Sequence, residues 1–229
     1  MKRKQFLGSV SAALAGALLP LGKAAAQMEK EPFSKYTIPP YLQEGHTIGI
    51  TAPAGYITME SVQPAVGLIR SWGYNIQIGD TISKRHFTFG GTDDERLADL
   101  QRMLDDPNIK AILCARGGYG AVRLVDRINW TKFKQNPKWV IGFSDITVLH
   151  NHIHTVCGVA SIHSKMTNSF PDDWASADQL QADTIISIQQ ALLGKPMTYR
   201  ATPSTFNKVG KASGILVGGN LKTIGSLCG

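Results

Sequence analysis

The chain has 229 residues, 43% of them hydrophobic and 18% charged, with a formal net charge of +7. That composition excludes intrinsic disorder and is enough for one larger domain, or for one domain and part of a second. Four of the positive charges (Lys2, Arg3, Lys4, Lys23) lie in residues 1–26, which hold no acidic residue. The remainder carries only +3, scattered, which excludes a nucleic-acid footprint.

Residues 1–26 read as a signal peptide: a basic start, an apolar stretch Phe6–Leu21, and Ala24-Ala25-Ala26 as a small-residue cleavage site. The stretch is too short and too rich in Gly and Ala for a good span, so no stable membrane span is expected after cleavage. An uncleaved anchor is the alternative. The expected destination is the periplasm. Arg3-Lys4-Gln5-Phe6-Leu7 looks like a weakened twin-arginine signal, which leaves the Sec and twin-arginine routes both open.

Residues 27–197 read as an α/β domain. Gln27–Pro40 is an extended lead-in, and Thr47–Ala52 is the first strand, ending at Pro53-Ala54-Gly55. Ser61–Trp72 has helical spacing, with Pro64 placed in its first turn and Gly73 as the stop. Tyr74–Ile78 alternates as a strand does. A polar loop, Gly79–Gly91, leads to a capping box, Thr92 and Glu95, that opens a helix buried through Leu97, Leu100, Met103 and Leu104. Ile109–Ala115 is a mostly apolar strand, as fits one covered on both faces. The tight loop Arg116-Gly117-Gly118-Tyr119-Gly120 follows, then a helix, Ala121–Ile128. Trp139–Ile141 is a buried strand that breaks at Gly142, and a helical pattern begins after Ser144-Asp145. Val159–Ile162 is a fifth strand ending at His163, and Ala177–Leu193 a helix with Leu180, Thr184, Ile188 and Leu192 on one side. Residues 198–211 read as a linker. Residues 212–229 read as the start of a second, β-rich domain, with a strand and turn at Gly214–Asn220. The alternation predicts a parallel sheet with helices on both faces, of the Rossmann or flavodoxin-like kind.

In such a sheet, sites form at the carboxyl ends of strands. Pro53-Ala54-Gly55, Arg116–Gly120, Gly142–Asp145 and His163-Ser164-Lys165 all fall there. A serine on a sharp strand-to-helix turn presents its Oγ clear of the sheet, beside helix N–H groups that favour an oxyanion; Ser144 or Asp145 would serve equally as a helix N-cap. The glycine loop offers N–H groups to a phosphate, a carboxylate or an oxyanion, or is simply a tight turn. It lacks the spacing of a dinucleotide site or a P-loop. Arg116 is a carboxylate clamp or a surface ion-pair partner. His150 and His154 are four apart, as on a zinc helix, but without the glutamate of that motif, so no metal is expected and no cofactor is implied. His163, at a strand end, is the stronger functional histidine. Cys114, Cys157 and Cys228 have no metal-ligand spacing, and nothing identifies a disulfide among them.

Taken together, Arg116-Gly117-Gly118-Tyr119-Gly120-Ala121, Asn136-Pro137-Lys138 and Ile141–Thr147 with Leu149-His150 resemble the LD-carboxypeptidase family, as do Gly91–Arg96 and Gly218–Leu221. These are serine peptidases that trim peptidoglycan peptides, and they include microcin-immunity peptidases. The resemblance runs from about Pro40 to the last residue. It implies Ser144 as the nucleophile, with an oxyanion hole from backbone N–H groups of Gly117, Gly118 and Asp145. Arg116 and His163 are then candidates to bind substrate. The implied reaction removes the terminal D-residue of a murein tetrapeptide through an acyl-enzyme on Ser144. The implied partners are peptidoglycan-derived peptides, and a homodimer is left open. Two departures stand out. His163-Ser164-Lys165-Met166 replaces the His-Gly-Pro-Met of many relatives. The family's catalytic glutamate and histidine lie beyond the Gly-Gly-Asn turn, so no residue here takes those roles. The expectation is a C-terminally truncated chain with the nucleophile but without its base, inactive by itself. A non-catalytic module binding a peptide or anion on the glycine loop is the competing expectation.

Overall fold

Five short strands, each followed by a return along the sheet, set the architecture. The computed structural model describes residues 36–199 and 202–228; the expected signal peptide, residues 1–26, lies outside them. The strands are β1 (Thr47–Thr51), β2 (Asn75–Ile78), β3 (Ile109–Cys114), β4 (Trp139–Gly142) and β5 (Ile162–His163). All pair in parallel, in the order β2-β1-β3-β4-β5. The helices are α1 (Met59–Ser71), α2 (Asp93–Asp105), α3 (Thr131–Gln135), α4 (Thr147–His152), α5 (Gln179–Leu192) and α6 (Leu221–Ser226). The strand order reverses direction between β1 and β3, which makes the crevice above their carboxyl ends the topological switch point.

Alternation along the strands divides the core into two layers. On β3 and β4, Ala111, Leu113, Trp139 and Ile141 face a layer with Val62, Val66 and Ile69 of α1 and Ile185, Ile188 and Leu192 of α5. Ile112, Cys114 and Val140 face the other, with Leu100, Met103 and Leu104 of α2 and Phe133 of α3. Burial pushes the Cys114 thiol up to about 12. Cys114, Cys157 and Cys228 are all free thiols.

The helix signals read from the sequence form in part as expected. Thr92 and Glu95 make the full capping box of α2, and Glu95, bonded by Lys84 and by Thr92, has its carboxyl lowered to about 2. At the other end of α2, the buried Lys138 Nζ donates to the carbonyls of Met103 (3.0 Å) and Asp106. A cation at a helix C-terminus is favourably placed, though burial still lowers Lys138 to about 8. Thr58 caps α1, so Pro64 is its sixth residue rather than part of its first turn.

Four expected elements differ. Ala121–Ile128 is not one α-helix but two 3-10 turns, Ala121–Arg123 and Val125–Arg127; a segment this short gains little from α-helix propagation, so tertiary bonds decide. The fifth strand is Ile162–His163 only, because the lead-in takes the backbone upstream: Thr37 N–H donates to Gly158 O (2.7 Å) and Ala160 N–H to Thr37 O (2.9 Å). In α5 the buried residues are Ile185, Ile188 and Leu192, while Leu180 is exposed. Gly214–Asn220 forms no strand; the segment runs irregularly into α6, with Leu216 and Val217 exposed. A lone strand has no ladder to satisfy its backbone, so the expected β-rich start of a second domain is not formed by the described residues. No described helix is long and apolar enough to cross a membrane.

Candidate functional site

Parallel register levels the strand ends. Thr51 pairs with Cys114, Leu113 with Ile141, and Gly142 with His163. The segments singled out in the sequence therefore emerge along one edge of the sheet.

Ser144 stands directly after β4 with φ of +59°, a conformation that costs a non-glycine residue about 1–3 kcal/mol and persists only where the surroundings over-determine it. The surroundings do so here. Ser144 N–H donates to Asn220 Oδ1 (3.1 Å), and Asn220 N–H to Thr147 Oγ1 (3.0 Å). The carbonyl of Gly142 accepts from Ser164 N–H (3.0 Å) and from His150 Nε2 (2.9 Å). Since a carbonyl only accepts, Nε2 carries the proton, and Nδ1 accepts from Ser161 Oγ–H (2.8 Å). His150 is buried and held neutral, its pKa lowered to about 4 chiefly by desolvation. Both its ring nitrogens are engaged, and His154 stacks on Tyr36 instead, so these two residues do not present a joint pair of ligands.

The glycine loop lies against Ser144. A β-carbon on Gly117 would sit 3.0 Å from Ser144 Cβ and 3.3 Å from its Oγ. The Gly117 carbonyl accepts from Gly55 N–H (2.9 Å), on the β1 side. Because the peptide is trans, the Gly118 N–H points the opposite way, toward the β4 side where Ser144 stands. Among the described residues, the N–H groups of Gly117, Gly118 and Asp145 donate to no protein acceptor. The side chain of Asp145 is turned away from that set. It is buried and accepts from Ala121 N–H (2.8 Å), fixing the far end of the loop. Burial raises its carboxyl, against the opposing bond from Ala121 and the charge of Arg96.

Arg96 organises the switch point, a part that none of the motifs above assigns to it. Its side chain is fully buried, and Nη1 donates to the carbonyls of Pro53 and Gly120, one from each loop of the switch point. Nη2 pairs with Asp93, and the guanidinium lies over Phe89, 4.9 Å from the ring centroid. The signal was present: Arg96 shares the helical phase of Leu100, Met103 and Leu104, a charge in line with an apolar stripe.

Arg116 is exposed and donates from Nη1 to Tyr56 O (2.9 Å). His163 stacks on His150, with ring centroids 6.0 Å apart. Beside it an open groove of about 770 Å³ runs from Phe143, the neighbour of Ser144, to α5 and Tyr199. The structure thus brings Ser144, Gly117, Gly118 and Asp145 together, sets His163 on the β5 side and Arg116 on the outer side of the glycine loop. Among the described residues no side chain is hydrogen-bonded to Ser144 Oγ.

Comparison with known proteins bears on the family and the fold. The model of the LD-carboxypeptidase N-terminal domain matches residues 48–164. A protein of Bacillus subtilis named a probable murein peptide carboxypeptidase is 35% identical over 202 residues, covering 87% of this chain and 62% of its own length. The chain spans about three-fifths of the length of such curated relatives. A crystal structure of a muramoyltetrapeptide carboxypeptidase from Oxalobacter formigenes superposes with a TM-score of 0.55 at 27% identity, over 63% of this chain and 47% of that one. The microcin C7 self-immunity protein MccF, in complex with aspartyl sulfamoyl adenosine, superposes with a TM-score of 0.68 over 84% of this chain and 66% of that one. At 21% identity this second structure shows the shared α/β fold alone. With the matched domain spanning more than half of its length, this chain belongs to the LD-carboxypeptidase family.

Proposed function

We propose that the protein is a serine LD-carboxypeptidase acting on murein peptides, with Ser144 as the attacking group. The observation that carries the reading is the left-handed Ser144 at the end of β4, facing the glycine loop of β3. Ser144 Oγ attacks the carbonyl carbon of the bond between an L-centre and the terminal D-residue, and its proton passes to a base. The developing oxyanion accepts from the N–H groups of Gly118 and Asp145. The C–N bond breaks, the D-amino acid leaves with a proton on its nitrogen, and water hydrolyses the acyl-serine. Arg116 holds the terminal carboxylate of the substrate. The names of the family's members, murein peptide and muramoyltetrapeptide carboxypeptidases, support this substrate class. The pattern of residues 1–26 supports export to the periplasm, where such peptides are found.

The test is release of D-alanine from a murein tetrapeptide by a version extended to the full length of the curated relatives, so that a base is supplied, and by the same version with Ser144→Ala. Loss of release in the variant is expected, and unchanged turnover removes Ser144 from the mechanism. A second reading, a binding module without chemistry, is favoured by the unengaged Ser144 Oγ, since a serine without a hydrogen-bonded base is a weak nucleophile. Muropeptide binding without D-alanine release from either form would select it.

A further inference from the structure

The groove beside Ser144 has walls of mixed character. Phe143 and Leu180 are apolar and Tyr199 aromatic, with His163 and Lys165 on the β5 side and Asp183 on α5. At about 770 Å³ it has the size of sites that enclose an extended small ligand rather than a single side chain. Lys165 Nζ lies 5.9 Å from the centre of the Phe143 ring, and its backbone is fixed close to the nucleophile, because Ser164 N–H holds the carbonyl of Gly142. Among the described residues Lys165 has no carboxylate within salt-bridge distance. Asp183 is occupied by an uncharged partner, Gln179 Nε2 (2.6 Å). On the glycine-loop side, Arg96, Arg123 and Arg127 are paired with carboxylates, while Arg116 bonds only the carbonyl of Tyr56. An ammonium left without its counter-ion, half-buried over an aromatic face, is suited to an anion that arrives with a ligand.

We propose that this groove is the acyl-side subsite and that Lys165 pairs with a free carboxylate of the substrate peptide there. The inference rests on the reading of Ser144 as nucleophile. Direction follows from geometry. The N–H donors of the glycine loop lie on the β3 side of Ser144, with Arg116 beyond them, while the groove opens on the β5 side. A peptide whose terminal carboxylate faces Arg116 therefore runs from the scissile carbonyl into the groove, past Phe143 and toward Lys165. Lys165 is then a specificity-determining residue that favours acidic peptides over their amidated counterparts. Asp183, on the opposite wall, repels a second carboxylate and accepts an ammonium, so a residue bearing both groups suits the groove better than one bearing two acids.

The experiment is calorimetric titration of the protein with a murein tripeptide, L-alanyl-γ-D-glutamyl-meso-diaminopimelate, and with the same peptide amidated at every carboxylate except the one at the L-centre that Ser144 would acylate. The protein, Lys165→Gln and Lys165→Arg are compared at low and high salt. We expect the free acid to bind about fivefold to tenfold more tightly than the amide, with the preference fading as salt screens the pair. Lys165→Gln should abolish the preference and Lys165→Arg should keep most of it. Lys165 is on the surface of the groove, so all three forms should fold, and the amidated peptide should bind all three alike. Equal binding of acid and amide to the protein overturns the proposal and leaves the proposed function standing. So does a preference that survives Lys165→Gln, since another cation then reads the carboxylate. No binding of either peptide overturns both.

Discussion

The crest of the sheet between β1 and β4 and the segment of residues 202–228 are built on opposite plans. At the crest, charged and polar groups are buried and tied: Arg96 is 0% exposed, and it joins Pro53, Gly120 and Asp93, while Asp145 holds Ala121. In the later segment apolar residues are exposed, Phe206 at 92% and Leu216 at 97%. Among the described residues, its hydrogen bonds to the elements before it are both made by Asn220. A strained residue such as Ser144 needs neighbours that leave it no alternative. The crest supplies most of that constraint and the later segment a single clamp.

The largest effect expected from this contrast comes from Arg96. Arg96→Met removes the bonds to both loop carbonyls and to Asp93, and takes away the cation that faces buried Asp145. Removing one partner from a buried charged network costs about 3–5 kcal/mol, and urea unfolding should show a loss in that range. A loss below about 1 kcal/mol would mean that the crest is not organised through Arg96.

Next is a pH effect through His150. Its folded pKa of about 4 lies below the ordinary value of 6.5, so between those values the unfolded chain binds the extra proton. Stability from this group is complete above pH 6.5 and is lost as pH falls toward 4, by about 3 kcal/mol at pH 4. Other groups titrate in the same range, so the check is the difference between the protein and His150→Gln. The variant should be less stable at pH 7, because it loses the fit between Gly142 and Ser161, and should show a flatter decline between pH 6.5 and 4. Parallel declines would remove His150 as the cause.

A smaller effect isolates the strain itself. Ser144→Gly and Ser144→Ala both delete the hydroxyl, but only glycine adopts φ of +59° without penalty. The glycine variant should therefore be more stable than the alanine variant by about 1 kcal/mol. Equal stabilities would mean that the turn relaxes when the hydroxyl is gone.

What the sequence disclosed follows the same division. The strands of the crest were legible because Ile109–Cys114 and Trp139–Ile141 are apolar runs bounded by breakers, and the Ser144 turn because a glycine and two capping residues interrupt such a run. Period-2 and period-3.6 patterns are local, and so are capping boxes. The contacts that make a site of these pieces are not local. Arg96 reaches Pro53 across 43 residues and Asn220 reaches Ser144 across 76, and no window of sequence carries such distances. Arg96 still left a trace, a charge in phase with buried leucines. Asn220 left only its membership of the Gly218–Leu221 turn. The expected strand at Gly214–Asn220 failed for a related reason: its apolar residues read as a strand, but strand formation needs a neighbour that no described residue provides.

The clamp made by Asn220 gives the smallest prediction and the sharpest division between the two regions. Asn220 Oδ1 takes the Ser144 N–H and its own N–H takes Thr147 Oγ1. Gly219 approaches Thr147 so closely that a β-carbon there would lie 2.4 Å from Cγ2, at a φ of +146°. Asn220→Ala removes the first bond and keeps the second. Ser144 is half-buried, so water can replace the lost acceptor, and the net cost should be about 1 kcal/mol. Deleting residues 202–229 removes both bonds and should cost no more than about 1–2 kcal/mol, within the range of an ordinary single substitution. The ratio of the two losses is the informative quantity. If Asn220→Ala accounts for half or more of the deletion's effect, the segment is held by its clamp and little else. If the deletion costs several times more, packing of partly buried Ile215 and Ile224 contributes as well, and the later segment shares the plan of the crest.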